Sequence, residues 1–500
     1  MCAALLGSYG IRTLAIDRAR AVYEKPRAFA LDHEIMRVFQ DLGSAAAVAP
    51  HTAPFTPSEY YGVNGQLIKR LGSVPPPYPL GWPPNMVFTQ PPVEAALRAH
   101  ADRYDSVQVR LGTELTDLRQ EDDRVVLRLQ DEAGKKSEVS AGYLVGCDGA
   151  SSTVRQKLDL RYEDLEFDEP WLVVDLMVNE RGLARLPGVS IQYCEPARPS
   201  TYLIGPGAHR RWEIMLLPGE APAKMEAEAE VWRLLSRWLA PDEAKLWRVA
   251  SYRFHALVAR EWRRGRAFIA GDAAHQQPPF TGQGMCQGVR DVANLAWKLR
   301  LALDGRAGDA LLDTYAEERG PHVRRLTARI KEIGRLICER DADAAVARDR
   351  RLLEEAGGSI RTTPRQQLIP PLEGGFLSPD AHPANGSTFP QPRVRRGGGE
   401  ALLDDVAGSW FRLVVQENFP AKKTKLPKLL GAMGMNLVRI GAGAGCLEEA
   451  DGLLARWFEE NGCAAALVRP DHYVYGVAAT PGELDRQLEA MRSALQGKKG

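Results

Sequence analysis

The sequence lacks a dominant charge. Lys and Arg number 65 against 64 Asp and Glu, a formal net charge of +1, so no global field recruits nucleic acid or an anionic membrane. It lacks any apolar run near the ~20 residues that span a bilayer. Its start lacks the basic region and apolar length of a signal peptide. A cytoplasmic protein with no membrane and no nucleic-acid partner is the expectation. Cysteine is sparse and scattered: Cys2, Cys147, Cys194, Cys286, Cys338, Cys446 and Cys463 form no CxxC pair and no His/Cys cluster at zinc-ligand spacing. That excludes a disulfide framework and a zinc site, leaving reduced thiols and no expected metal. There is no internal repeat, and no nucleophile–base constellation stands out.

What is present is ordinary in composition, 44% hydrophobic and 26% charged over 500 residues, a length for two to four domains. The opening "MCAALLGSYGIRTLAIDRAR" reads as a helix through Ala3–Leu6, a helix end at Gly7 and Gly10, and a short strand ending at Asp17. A helix leading to a strand with an acidic tip is the second half of a dinucleotide-binding βαβ unit. Its glycine-rich turn stands roughly 20 residues before the acidic residue. Counting back from Asp17 places that turn ahead of residue 1. Residues 1–160 alternate helix and strand patterns, 165–255 are richer in strand, and a long helix with Val289, Val292, Ala296, Leu299 and Leu303 on one buried face follows Gly284. A second helical tract covers roughly 310–355. Residues 357–400, rich in Gly, Pro and Arg, read as a linker or irregular arm, and 401–500 as a smaller α/β unit.

Three segments carry chemistry. Asp17, at the tip of its strand, is placed to accept hydrogen bonds from ribose hydroxyls, or simply to cap a turn. In "YLVGCDGASSTVRQKL" a strand delivers Asp148 and Gly149 to a turn and a helix opens at Ser151–Arg155. In "AFIAGDAAHQQPPFTGQGMCQGVRDVANLAWKL" Asp272 ends a strand, Pro278 and Pro279 stiffen a loop, and Gly282-Gln283-Gly284 leads into the long helix. Two glycines let backbone N–H groups face a ligand, and the helix N-terminus adds partial positive charge. Such a site suits an electron-rich ring that becomes anionic, as reduced flavin does.

These last two segments resemble the DG and GD motifs of class A FAD-dependent aromatic hydroxylases. "RAFALDHEIMRVFQDLG", "QPPVEAALRAH" and "GQGMCQGVRD" resemble the branch of 3-(3-hydroxyphenyl)propionate and phenol hydroxylases. The resemblance covers about residues 3–345 and implies an α/β fold. A Rossmann-like FAD-binding domain, its first strand missing, would occupy 1–164 and, with the long helices, 256–356. A β-sheet substrate domain would be inserted at 165–255. After the linker at 357–400, a thioredoxin-like domain would fill 401–500, without a CxxC and with a packing or dimer role that leaves a homodimer open.

The same resemblance implies a monooxygenase: NADH or NADPH reduces FAD, O2 makes a flavin C4a-hydroperoxide, and an OH group passes to a phenolic substrate such as 3-(3-hydroxyphenyl)propionate. It also implies site roles. Asp17 would bind the adenosine ribose, and Arg27 and Gln90 the ribityl or phosphate region. Asp148 and Gly149 would lie near FAD and the nicotinamide route, and Asp272 at ribityl or pyrophosphate oxygens. Pro279, Gly282, Gln283 and Gly284 would flank the isoalloxazine, with Cys286 offering only its backbone. Asp32, His33 and His275 are the candidates for the phenol-deprotonating base, and Arg198, Arg210 and Arg211 for a substrate carboxylate. Two alternatives stay open: a polyketide- or antibiotic-tailoring monooxygenase, and a truncated, flavin-free protein without activity.

Overall fold

The computed structural model describes residues 1–396, 398–420, 431 and 434–496. The opening helix forms at Cys2–Ser8, Gly10 takes φ +71°, and the strand Thr13–Asp17 follows, pairing in parallel with Val107–Leu111. The strand before the DG turn, Leu144–Gly146, pairs in parallel with Ala267–Ile269, the strand before the GD turn. These two parallel pairs belong to separate sheets in this chain. The pairing of 144–146 with 267–269 sets the two motifs side by side, although more than a hundred residues separate them.

Among the described residues, a nine-stranded sheet stands against this framework, built around the long strands Tyr162–Val178 and Ala244–Ala259. It runs wider than the 165–255 stretch. Ser58–Tyr61 and Leu67–Gly72 enter from the first segment, His275–Gln276 pairs at one edge, and Thr362–Pro364 closes the other. Hydrogen bonding between distant segments assembled it, which chain continuity does not reveal. Its strands alternate. Leu172, Val174, Trp212 and Ile214 face an outer apolar layer under the helix Glu228–Leu235, while Trp171, Val173 and Met215 pack with Phe280 of the GD–GQG segment.

The long helix spans Gly284–Leu303, hereafter the crevice helix. Val289, Val292, Ala296 and Leu299 are buried as expected, but Leu303 is 49% exposed. The opposite, polar face is buried too: Asp291, Asn294 and Lys298 are covered. Asp291 is covered by the GD turn, His275 and Arg319, and Asn294 by Asp471 of the C-terminal unit. The sheet of that unit orders Asn436–Ile440, Arg412–Gln416, Ala465–Val468 and Val474–Ala478, the first pair parallel and the others antiparallel, backed by the helix Pro481–Leu495. Arg469 from this unit reaches Glu318 at 2.6 Å, and Lys298 reaches the same carboxylate at 3.0 Å. The two cations hold Glu318 down at about pKa 2 against the effect of burial, which also presses Lys298 down to about 8. The second helical tract is two helices, Asp309–Cys338 and Ala342–Glu355. Residues 357–400 pack as an arm, burying Leu372, Phe376 and Phe389 between the two halves. No helix among the described residues is long and apolar enough to cross a membrane.

Candidate active site

The GD turn is fixed from beneath. Gly271 takes φ +61°, its N–H donates to Asp291 Oδ2 at 2.9 Å, and Gly288 of the crevice helix lies so close that an added Cβ would stand 3.2 Å from the Gly271 Cα. Asp272 is thereby held at the turn. It is open to solvent, yet lost hydration in its recess raises its pKa, with Arg27 and His275 pulling the other way. We read this as a carboxylate in a concave cleft with Arg27 across it. The DG turn joins the same cleft: Tyr162 Oη donates to the Asp272 carbonyl at 2.9 Å, and Arg155 donates to Tyr162 Oη at 2.6 Å.

Gly282 lies in the left-handed region at φ +65°, where an added Cβ would meet Ala30 Cβ at 2.7 Å. Only glycine fits that turn. Gly284 faces open space, and no side chain caps the crevice helix, so its first N–H groups remain available. An open, glycine-lined helix N-terminus, a recessed carboxylate and an arginine across the cleft fit a flavin nucleotide, whose ring gains negative charge and whose ribityl chain offers hydroxyls.

The expected site residues sort into two groups. Arg27 is an electrostatic neighbour of Asp272, and Pro279, Gly282 and Gly284 form the turn and helix start that follow the GD turn in the chain. Others hold the scaffold. Gln90 Oε1 accepts the N–H groups of Arg27 (2.9 Å) and Ala28 (2.7 Å), fixing the loop that carries Arg27. Asp17 accepts from Arg98 at 3.0 Å and from the Ala19 N–H at 2.9 Å. Asp148 accepts from the Ser152 hydroxyl (2.5 Å) and the Val154 N–H (3.0 Å), beside Gly149 at φ +80°. Gln283 is bound to Asp32 and Arg290 at 3.2 and 3.0 Å, below the turn.

Two of the three base candidates are engaged elsewhere, and the third, His33, is buried with its Nδ1 unpartnered. Asp32 caps the helix His33–Asp41 and pairs with Arg290 at 2.6 Å. Burial alone would raise it, but Arg290 and His33 bring it below the usual carboxylate range. His33 is driven down to about 4 by burial, despite the opposing pull of Asp32. His275 is buried on Asp291 at 2.8 Å, which Arg319 also holds at 2.8 Å. Of the arginines, Arg198 pairs with Glu220, Arg210 donates to backbone carbonyls, and Arg211 is tied to Asp175 at 2.7 Å and to the carbonyls of Arg27 (3.0 Å) and Pro26 (3.5 Å).

Two residues the sequence reading passed over face this cleft from the sheet. Arg248 lies across from Asp175 at 3.7 Å with its Nε unpartnered, and Glu213, 3% exposed, stands 4.0 Å from Arg211. The signal was the alternation in "HRRWEIM", which puts Arg211 and Glu213 on the face opposite Trp212 and Ile214.

Known proteins resemble this chain along most of its length. A family model described as an FAD binding domain matches residues 1–330, and one described as the HcaD C-terminal domain matches residues 386–494. A probable NADH-specific resorcinol 4-hydroxylase of Rhodococcus jostii (strain RHA1) is 36% identical over 494 residues, covering 96% of this chain and 90% of the relative. A 3-(3-hydroxy-phenyl)propionate/3-hydroxycinnamic acid hydroxylase of Mycobacterium sp. (strain JLS) is 32% identical over 523 residues, covering 99% and 90%. The crystal structure of the flavin-dependent monooxygenase PieE with FAD and substrate superposes with TM-score 0.84 at 24% identity, covering 99% of this chain and 96% of the other.

Proposed function

This chain belongs to the FAD-dependent aromatic hydroxylases, monooxygenases that use FAD and NAD(P)H to hydroxylate phenolic compounds, and from that premise we propose that its substrate is a small hydroxyaryl acid of the 3-(3-hydroxyphenyl)propionate type. The observation that carries this reading is Arg248, a 4%-exposed guanidinium on the cleft-facing side of the sheet with Asp175 as its ion-pair neighbour and a free Nε. Asp175 already holds Arg211. A second buried guanidinium with spare donor capacity suits an incoming carboxylate.

Bound FAD supplies the reducing equivalents from NAD(P)H and the activation of O2. The chain's own residues do the rest. Asp272 and Arg27 would hold the ribityl and phosphate stretch, the N–H groups from Gly284 onward would serve the pyrimidine edge, and Asp17, whose carboxylate also takes Arg98 and the Ala19 N–H, would accept from the adenosine ribose. Asp148, by fixing its own turn through Ser152 and the Val154 N–H, would shape the nicotinamide side together with Gly149. Trp171, Phe254 and Phe280 form an aromatic wall, Trp171 and Phe254 stacked at 5.4 Å, that keeps water from the reacting ring. NADH is the proposed reductant, as in the resorcinol hydroxylase relative's name, and the proposed setting is the cytoplasm.

The test is NADH oxidation by the FAD-loaded protein with 3-(3-hydroxyphenyl)propionate, 3-hydroxycinnamate and resorcinol, with product identified chromatographically. The acids should give the higher kcat/KM, and Arg248→Met should raise KM for the acids at least tenfold while leaving resorcinol within threefold. Preference for resorcinol by both proteins would replace the acid with the uncharged dihydroxybenzene. Turnover of bulky polycyclic phenols alone would favour the tailoring class.

A further inference from the structure

Glu213 sits on the strand His209–Met215, flanked on one face by Arg211 and Met215. Both neighbours place that face. Met215 packs in the same apolar cluster as Phe280 of the GD–GQG segment, and Arg211 bonds the backbone carbonyls of Pro26 and Arg27. Glu213 therefore lies where the sheet turns toward both walls of the flavin cleft. Laterally it is paired with Val173 on one side and Thr201 on the other. Thr201 spends its hydroxyl on Gln192 at 2.5 Å, and the nearest cation, Arg211, stands 4.0 Å from the carboxylate. Among the described residues nothing hydrogen-bonds Glu213.

Its one charged contact is the long 4.0 Å pair with Arg211, which already holds Asp175, so the fold makes little use of this carboxyl. Its environment also sets its proton affinity: burial and Asp175 raise it, Arg211 and Arg248 oppose, and the result is about 7. A carboxyl in that range is matched to general acid–base work at neutral pH. The charged and titratable groups turned to this part of the sheet are Arg211, Asp175, Arg248 and His209, and His209 is bound to Asp175 at 2.8 Å.

We propose that Glu213 is the catalytic base that takes the phenolic proton of the substrate. This rests on the hydroxylase reading above and supplies the group that Asp32, His33 and His275 do not. The phenolic O–H bond breaks, its proton goes to a Glu213 carboxylate oxygen, and the electron pair stays on the ring oxygen, enriching the ring carbon that is to be hydroxylated. After the new C–O bond is made, the ring C–H proton leaves to water. Glu213 then returns its proton to the ring oxygen and is ionised again. The oxidant is O2 and the reductant NAD(P)H, both supplied by the established reaction.

The test compares wild type with Glu213→Gln and Glu213→Asp, all loaded with FAD, on 3-(3-hydroxyphenyl)propionate and on a ring-fluorinated analogue whose phenol is already ionised at the assay pH. FAD occupancy and the flavin absorption spectrum report the fold without activity. Glu213→Gln should keep both and lose 10²–10⁴-fold in kcat on the ordinary substrate. It should also lose the rise of kcat/KM through about pH 7 and recover to within tenfold of wild type on the fluorinated analogue. Glu213→Asp should retain the pH limb. A Glu213→Gln protein within threefold of wild type, or one equally slow on both substrates, overturns the proposal. A wild type that hydroxylates no phenol would instead sink the hydroxylase reading, so the two failures are distinguishable.

Discussion

Replacing Arg290 with Met is the sharpest probe of how the cleft is held. Arg290 donates to Asp32 at 2.6 Å, Glu34 at 2.7 Å and Gln283 at 3.0 Å, all buried. One guanidinium thus ties the start of the helix His33–Asp41 to the crevice helix and to the GQG turn. Removing one member of a buried ion pair typically costs about 3–5 kcal/mol, because the remaining charges lose their compensation. An FAD-binding unit of 330 residues, unfolding with about 2.1 cal/mol/K per residue, has an entropy of roughly 0.7 kcal/mol/K, so Tm should fall by ~4–7 °C. The pH dependence adds a second, independent sign. In the native chain Asp32 is depressed, so its contribution is present above the ordinary carboxylate pKa and is lost as pH falls through the depressed value. In the variant, burial, the largest influence on Asp32, is opposed only by His33 and Gln283, so its pKa rises and the penalty grows with rising pH. The deficit should therefore be larger at pH 8 than at pH 5. Flavin fluorescence during a thermal ramp reads it directly, since FAD leaves when this unit opens. A Tm drop under ~1 °C, or the same drop at both pH values, would refute the reasoning.

Three further outcomes are expected. Gly284→Val projects its side chain into open cleft space and should weaken FAD binding at least tenfold by titration while shifting the apoprotein Tm by under ~2 °C; unchanged affinity would move the flavin elsewhere. Glu213→Gln removes a carboxyl that burial pushes up to about 7. Because a raised carboxyl is penalised only as it ionises, the variant should gain on wild type between pH 5 and 8 in paired Tm measurements, and a flat difference would contradict the burial. Arg469→Met strips Glu318 and Asp471 of their shared partner, at 2.6 Å from each, and should loosen the C-terminal unit by about 3–5 kcal/mol; unaltered cleavage of the 357–400 arm in limited proteolysis would show that docking does not depend on it.

The sequence by itself determined the local elements and the turns that allow one residue type. Thr13–Asp17, the DG and GD turns and the start of the crevice helix were legible because strand alternation, helical period and glycine conformation are encoded over a few neighbouring residues. The family resemblance rested on those same short-range signals. Tertiary structure decided which charged residues are occupied and which are free. Asp32 and Arg211 look like available catalytic or anchoring groups along the chain. They are spent on Arg290 and Asp175, partners 258 and 36 residues away. The polar face of the crevice helix is covered from segments distant in the chain, Asp291 by His275 and Arg319 and Asn294 by Asp471 from beyond residue 400. Glu213 gains its meaning only when the strands beside it leave Arg211, already spent on Asp175, as its nearest cation. Proton affinity depends on what surrounds a group in space, and that is fixed by contacts between segments that no local pattern relates.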